Sequence, residues 1–303
     1  MGQLEDMALF IKIVENGSIT ATAGHLNIAK SAVSRRLMDL EIRLGVQLLN
    51  RTTRKSSLTE AGQLFYQKAQ AIVSDAEDLT NLVSSGSAEL RGTLKVAVPL
   101  SFGLLHLSPA VNKFSDMHPD LLIDLHFADR QIDLVEEGFD LAIRIAQLED
   151  SSLVARRITT IRHTLCASPD YLLKRGIPET AEDLKHHDIL KYSSPTGLSH
   201  QISDKQGVFH EIQGNVVMMA NNGDFLKQAA LAGRGIYFTP TFISWREFKN
   251  GSLVPILKDY EYMDLGAYTV YPQTRFLSER VRQFIDFLSV RFGQEPYWDN
   301  WIS

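Results

Sequence analysis

The stretch AKSAVSRRLMDLEIRLG, from Ala29 to Gly45, constrains this chain more than any other. Val33, Leu37, Leu40 and Leu44 recur at i, i+4, i+7 and i+11, one stripe along a helix that must pack on a core. The opposite side of its first half carries Ser31, Ser34 and Arg35, where an ordinary surface helix would mix charges. In isolation such a stretch reads as a solvated helix face. The residues on either side change that reading.

Upstream, Leu4, Met7, Ala8, Ile11 and Val14 keep helical spacing until Asn16-Gly17, a turn signal. Ser18 is placed to cap a short helix through Ala21, Ala23 and His25, and Leu26-Asn27-Ile28 forms the turn before Ala29. Helix, tight turn, helix is the arrangement in which a second helix enters the major groove, with Ser31, Ser34 and Arg35 at its leading end. Between Lys30 and Lys55 lie seven basic residues, Lys30, Arg35, Arg36, Arg43, Arg51, Arg54 and Lys55, against the acids Asp39 and Glu41. Such a patch attracts phosphate whatever the base sequence. Downstream, RTTRKSS reads as a basic wing carrying Arg51, Thr53 and Arg54, and Thr59 is placed to cap the next helix. In that helix Leu58, Phe65, Ile72 and Leu79 repeat every seven residues, as do Ala69, Ala76 and Val83. Two interleaved heptad series predict a dimerising seam with a second copy of the chain. The competing expectation is that the helix lies against its own C-terminal domain.

The whole-chain balance is unlike that patch. The formal net charge of −5 over 303 residues argues against a protein that coats nucleic acid wholesale. With 44% hydrophobic and 22% charged residues, the composition is that of a soluble chain of two or three domains. The start, MGQLEDMALF, lacks a basic signal region, and no run of apolar residues is long enough to span a membrane. The single cysteine, Cys166, sits in the apolar stretch HTLCA, fits a reducing compartment and reads as packing. These features predict a cytoplasmic protein with no membrane partner. His186-His187-Asp188 has no further ligand spacing behind it, so no metal is expected, and no motif asks for a cofactor. GxSxG, HExxH, GxxxxGK[ST] and GxGxxG are all absent, and no enzyme activity is expected.

Beyond the small polar stretch SSGSAELRG, Ser84 to Gly92, strands and helices alternate: TLKVAVP, LLHLSPAVNKFSDMHP, LLIDLHF and FDLAIRI, then RHTLCAS, PDYLLKRG, GNVVMMA, DFLKQAALAG and GIYFTP. LGAYTVYP and SERVRQFIDFLSVRF close the chain. The alternation predicts parallel α/β sheets. Ligands of such sheets sit beyond the carboxyl ends of strands. That rule selects Leu100, Ser101 and Phe102, then Asp129 to Gln131, Asn221 and Asn222, and Phe238 with Thr239. Ser101 offers a donor, Asn221 and Asn222 offer amides, and Phe102 with Phe238 would sandwich a planar ligand; loop capping or core packing is the alternative for each. Arg144, a charge inside an apolar strand, either reaches that cleft or, more simply, pairs with an acid nearby.

The run LNIAKSAVSRRLMDLEIRLGVQLLNRTTRKSSLTEAG closely resembles the N-terminal signature of LysR-type transcriptional regulators. The likeness rests on Ala32 to Arg35 (AVSR), Leu40-Glu41 with Leu44-Gly45, Arg51 and Arg54, and Leu58-Thr59 with Ala61-Gly62. Where the family often has Ser-Gln-Pro, this chain has Ala29-Lys30-Ser31; alanine cannot cap through its side chain and lysine cannot make glutamine's bidentate adenine contact. The resemblance implies a winged helix-turn-helix over residues 1–58, a dimerisation helix and hinge over 59–92, and an effector module over 93–303. That module would be a two-lobed clam like the periplasmic binding proteins, lobe I about 93–162 and 271–303 and lobe II about 163–270, with crossings near Arg162 to Thr164 and Gly266 to Tyr271. The expected partners are a double-stranded DNA operator, read by Lys30, Ser31, Ser34, Arg35, Arg36, Arg51, Thr53 and Arg54, a small-molecule effector, and further copies of the chain as a homo-dimer or homo-tetramer. A transport solute-binding protein and a ligand-free architectural DNA-binding protein are the alternatives. The first would need export, and the second leaves a cleft module without a purpose.

Overall fold

In the computed structural model, the described residues are 2–51, 56–84, 90–130, 132–147, 153–193, 201–273 and 277–300. The chain opens with α1 (Gln3–Glu15), α2 (Ile19–Leu26) and α3 (Lys30–Leu44). Ser18 Oγ accepts from the Ala21 amide at 3.0 Å, so α2 begins where the capping rule puts it. α2 ends on Asn27 in the left-handed region (φ 56°), which turns the chain into α3 within three residues. Ala29 precedes α3 without a side-chain cap. Val33, Leu37 and Leu40 are buried with Leu9, Phe10, Ile13 and Ala23, forming the small core of this unit. Leu44, expected in that stripe, is partly open to solvent because α3 ends there on Gly45.

A two-stranded antiparallel sheet follows, β1 (Leu49–Arg51) with β2 (Ser56–Leu58), and then the long α4 (Glu60–Ser84). Thr59 Oγ1 caps α4 by accepting from the Gly62 amide at 2.9 Å. Gly62 is required by close approach: a Cβ there would lie 2.0 Å from the Leu48 carbonyl oxygen.

The remainder forms two α/β lobes. The first runs β3 (Gly92–Val98), α5 (Leu100–Phe102), a π turn at Gly103–Leu107, α6 (Ser108–Met117), β4 (Leu121–Phe127), β5 (Leu141–Ala146) and β6 (Leu153–Ile161). The second holds β7 (His163–Ala167), α7 (Pro169–Arg175), β8 (Asp188–Tyr192), β9 (Gln201–Ser203), β10 (Phe209–Glu211), β11 (Asn215–Ala220), α8 (Gly223–Leu231), β12 (Ile236–Pro240), α9 (Thr241–Asn250), β13 (Val254–Ile256) and β14 (Glu261–Tyr262). The chain then returns to the first lobe as β15 (Leu265–Pro272) and α10 (Glu279–Phe292). The strand orders are β4-β3-β5-β15-β6 and β11-β8-β12-β7-β13, with a small sheet β10-β9-β14 beside the second.

Two expectations are corrected here. Both large sheets are mixed: β15 pairs antiparallel with β5 and β6, and β7 pairs antiparallel with β12 and β13, because strands that enter from the other lobe run against the local direction. The first crossing falls at Arg162 as expected, but the return is at Met263-Asp264, ahead of Gly266, since β15 is already in the first sheet from Leu265. The lobes also share packing. Phe242 and Ile243, at the start of α9, are buried in the first lobe's core with Phe102, Leu107, Phe292 and Trp298.

Candidate DNA-binding and effector sites

On α3, Lys30, Ser31 and Arg35 are exposed and Ser34 is half-buried; Ser31 and Arg35 lie opposite Val33, Leu37 and Leu40, Ser34 lies at the flank, and Lys30 opens the first turn in line with Leu37. Arg36 belongs elsewhere. Its guanidinium donates to Asp6 Oδ1 through Nε at 3.2 Å and Nη2 at 2.9 Å, and Arg43 donates to Asp6 Oδ2 at 2.9 Å, so Arg36 clamps α3 to α1 and leaves the expected base-reading set. Burial pulls the Asp6 carboxyl upward, but the two guanidinium groups outweigh it and hold the group below its ordinary value. Glu41 is buried and accepts from the Leu48 and Leu49 amides at 2.9 and 3.2 Å, which fixes the strand leading into the wing. No periodicity flagged Asp6 or Glu41; the signal for Glu41 was an acid beside the buried Leu40 with apolar residues on the chain that follows. The Arg51 backbone pairs with Ser56 in the β1–β2 ladder, while Thr53 and Arg54 lie outside the described residues.

The seam on α4 divides. Phe65 packs edge-on against Phe10 with ring centroids 5.5 Å apart, Leu58 lies against the same small core, and Ala69 is buried with Met7 and Ile11. Contrary to expectation, Leu58 ends β2 ahead of the helix and packs on the small core, and Phe65 faces α1 of its own chain, because the start of α4 is the wall that closes the three-helix core. Ile72 and Leu79 stay open, 47% and 66% exposed, along with Leu64. Midway along α4, Ser74 Oγ accepts from Arg280 at the start of α10, a guanidinium 4% exposed that also faces Asp140 at 3.7 Å.

Between the lobes, Ser101 donates to Asp224 Oδ2 at 2.6 Å, joining α5 of the first lobe to α8 of the second. Asp224 also meets the buried Lys227 ammonium at 3.3 Å, which donates to the Ile243 carbonyl at 3.1 Å. Asp129 Oδ1 accepts from the Leu100 amide at 3.0 Å. Burial raises the Tyr192 hydroxyl above its ordinary range, and the Asp129 carboxylate adds to the rise from the opposing lobe. Asn222 caps α8 through the Phe225 amide at 2.9 Å, and Asn221 is exposed beside it.

Leu100, Ser101, Asp129, Asn221 and Asn222 therefore sit at strand ends as expected, whereas three other assignments change. Phe102 is fully buried among Phe242, Phe292 and Trp298, so no ligand sandwich with Phe238 forms. Thr239 is fully buried and bonded to Ser244 Oγ at 3.0 Å. Phe238 stacks on His163 at 5.1 Å and lines a cavity of about 430 Å³ with Lys191, Gln201 and Glu211, between the second sheet and the small sheet. Sequence periodicity marks each as apolar or strand-terminal and carries no record of which side it faces. Arg144 donates to the Ile132 carbonyl at 2.8 Å. Cys166 is buried, and burial pushes its thiol upward, away from reactivity. Among the described residues no cluster of His, Cys, Asp and Glu forms a metal site, and no helix is long and apolar enough to cross a membrane.

Residues 4–63 match the bacterial regulatory helix-turn-helix family named for lysR, and residues 87–292 match the LysR substrate binding domain. The chain belongs to the LysR family of transcriptional regulators. An uncharacterized HTH-type transcriptional regulator of Haemophilus influenzae is 39% identical over 283 residues, 93% of this chain and 98% of that one. The solved structure of CrgA, a LysR-type transcriptional regulator from Neisseria meningitidis, is 32% identical and covers 97% of this chain and 100% of its own, with a TM-score of 0.62. The full-length Vibrio cholerae virulence activator AphB is 31% identical over 95% of this chain and 98% of its own, at a TM-score of 0.59. As a LysR-family member the chain is a regulator with a DNA-binding helix-turn-helix and an effector-binding domain, and its relatives are regulators and not enzymes. LysR regulators bind DNA operators and small-molecule effectors and form oligomers.

Proposed function

We propose that this chain is a cytoplasmic regulator that binds its operator as a homo-dimer, or as a homo-tetramer of paired dimers, and changes that binding when a small molecule enters the cleft at Ser101, Asp129, Asn221 and Asn222. Residues 1–58 read DNA, 59–92 pair two copies and supply the hinge, and 93–303 hold the effector. Ser31, Ser34 and Arg35 face bases, while Lys30 and the wing residues Arg51, Thr53 and Arg54 contact phosphate or base edges beside them.

The observation that carries this reading is the Ser101 to Asp224 hydrogen bond, which ties one lobe to the other at the carboxyl end of β3. A ligand that competes for either partner changes how the lobes meet. Only such differential binding can shift an equilibrium, and coupling of about 1 to 3 kcal/mol is typical. The response reaches DNA through the contact between α10 and α4 at Arg280 and Ser74. Genomic DNA fragments retained by the full-length protein define the operator and the neighbouring genes, whose substrates form the panel of trial effectors. Operator affinity is then measured with and without each compound for the parent, Ser101→Phe and a fragment ending near Ser87. The reading expects the parent to respond and neither of the others to do so. A Ser101→Phe protein that responds like the parent places the effector elsewhere; a responding fragment removes the two-lobed module as the sensor.

A further inference from the structure

The outward face of α3 contains more than the residues already assigned to DNA. Met38 is 45% exposed and Ile42 70% exposed, both on the side opposite the buried Val33, Leu37 and Leu40. At about 100° per residue, Met38 lies about 20° around the helix from Ser31 and about 60° from Arg35. It stands at the centre of that face, about 10 Å along the axis from Ser31. A helical side chain leans back over the turn preceding its own Cα, so the Met38 thioether covers the turn that carries Ser34 and Arg35. The neighbouring cations do not share this ground: Arg36 and Arg43 are drawn sideways to Asp6 on α1.

Methionine has no hydrogen to donate, and its flexible, polarizable chain adapts to an apolar partner. A phosphate offers it nothing. Among the groups exposed on the floor of the major groove, the C5-methyl of thymine is the apolar one. We infer that Met38 is a specificity-determining residue that reads a thymine methyl next to the base contacted by Arg35. This rests on the reading of α3 as the recognition helix and adds an apolar contact to it.

The test uses full-length protein and duplex sites selected by it from random DNA, with each thymine replaced in turn by deoxyuridine, which lacks only the methyl. Affinities are read by fluorescence anisotropy. At one thymine per half-site the parent is expected to lose about three- to fivefold, the worth of one buried methyl. Met38→Ala is expected to bind the thymine site correspondingly more weakly and to treat thymine and deoxyuridine alike, while Met38→Leu keeps the discrimination. Unchanged affinity for random DNA shows that the substituted proteins are folded. A parent indifferent to every replacement overturns the inference, and so does a Met38→Ala protein with the parent's discrimination. Arg35→Ala separates the two levels. If it abolishes specific binding while Met38→Ala changes nothing, Met38 alone is misassigned; if it also changes nothing, the recognition face itself is wrong.

Discussion

Acidification tests the seam between the lobes through His106. Its ring is 1% exposed, in the π turn after α5, between Phe242 of α9 and the C-terminal Tyr297 and Trp298. Nε2 lies 2.9 Å from the Phe242 carbonyl oxygen and Nδ1 lies 2.6 Å from the Tyr297 hydroxyl. A carbonyl only accepts, so the neutral ring carries its hydrogen on Nε2 and receives the Tyr297 proton at Nδ1. Both nitrogens are satisfied without charge. Burial pushes the imidazole down to about 4; the Phe242 carbonyl and Asp224 pull it up and Arg246 pushes it further down, without reversing the burial effect. The unfolded chain takes up this proton near pH 6.5 and the folded chain only near 4, so stability is complete above 6.5, declines as pH falls, and levels off below about 4. At about 1.4 kcal/mol per pH step the total is about 3 kcal/mol. Urea unfolding of the parent and of His106→Gln at pH 7, 6, 5 and 4 isolates it, since the acid response of every carboxylate is common to both. The variant is expected to be weaker at pH 7 and to lose about 3 kcal/mol less on descent. Parallel pH curves for the two proteins would refute the buried neutral imidazole.

Glu41→Ala removes the acceptor for two buried amides, Leu48 and Leu49. It is expected to cost about 2 to 4 kcal/mol in urea unfolding, with Glu41→Gln losing less than half of that because one acceptor oxygen remains; equal losses would show that negative charge and not acceptance matters. Ile72→Glu on the open side of α4 is expected to sediment as a smaller species than the parent, and identical sedimentation would remove this face from the assembly. Phe65→Ala, by contrast, is expected to destabilise the N-terminal unit by about 2 to 3 kcal/mol without changing the oligomer, as its ring packs on Phe10 of the same chain.

Short-range features were legible in the amino-acid order. Ser18 and Thr59 cap the helices they were expected to cap, Asn27 turns α2 into α3, and Val33, Leu37 and Leu40 are buried. Each is decided by spacing within a few residues: a side-chain oxygen reaches an amide three positions on, and a stripe of apolar groups lies on one side of its own helix. The AVSR run with the wing and Leu58-Thr59 carried the family for the same reason, being local and contiguous. The positions of Leu100, Ser101, Asp129, Asn221 and Asn222 just beyond strands also followed from alternating apolar runs.

What only the tertiary structure decided is which of several equivalent partners each side chain meets. Phe102 and Phe238 are both aromatics expected at strand ends, yet one closes the first lobe's core from α5 and the other stacks on His163 and Tyr262 from the middle of β12. Arg35 and Arg36 are adjacent basic residues, and the helix turn of about 100° between them sends one outward and the other to Asp6, distant in sequence. The heptad spacing continues along α4, but Phe65 and Ala69 are covered by α1 while Ile72 and Leu79 are open, because a periodic pattern specifies that a face will be buried and not by what. Mixed strand direction, the return at Met263-Asp264 and the burial of Phe242 in the opposite lobe have the same origin. They depend on contacts between segments far apart in the chain, whose relative placement no local spacing encodes.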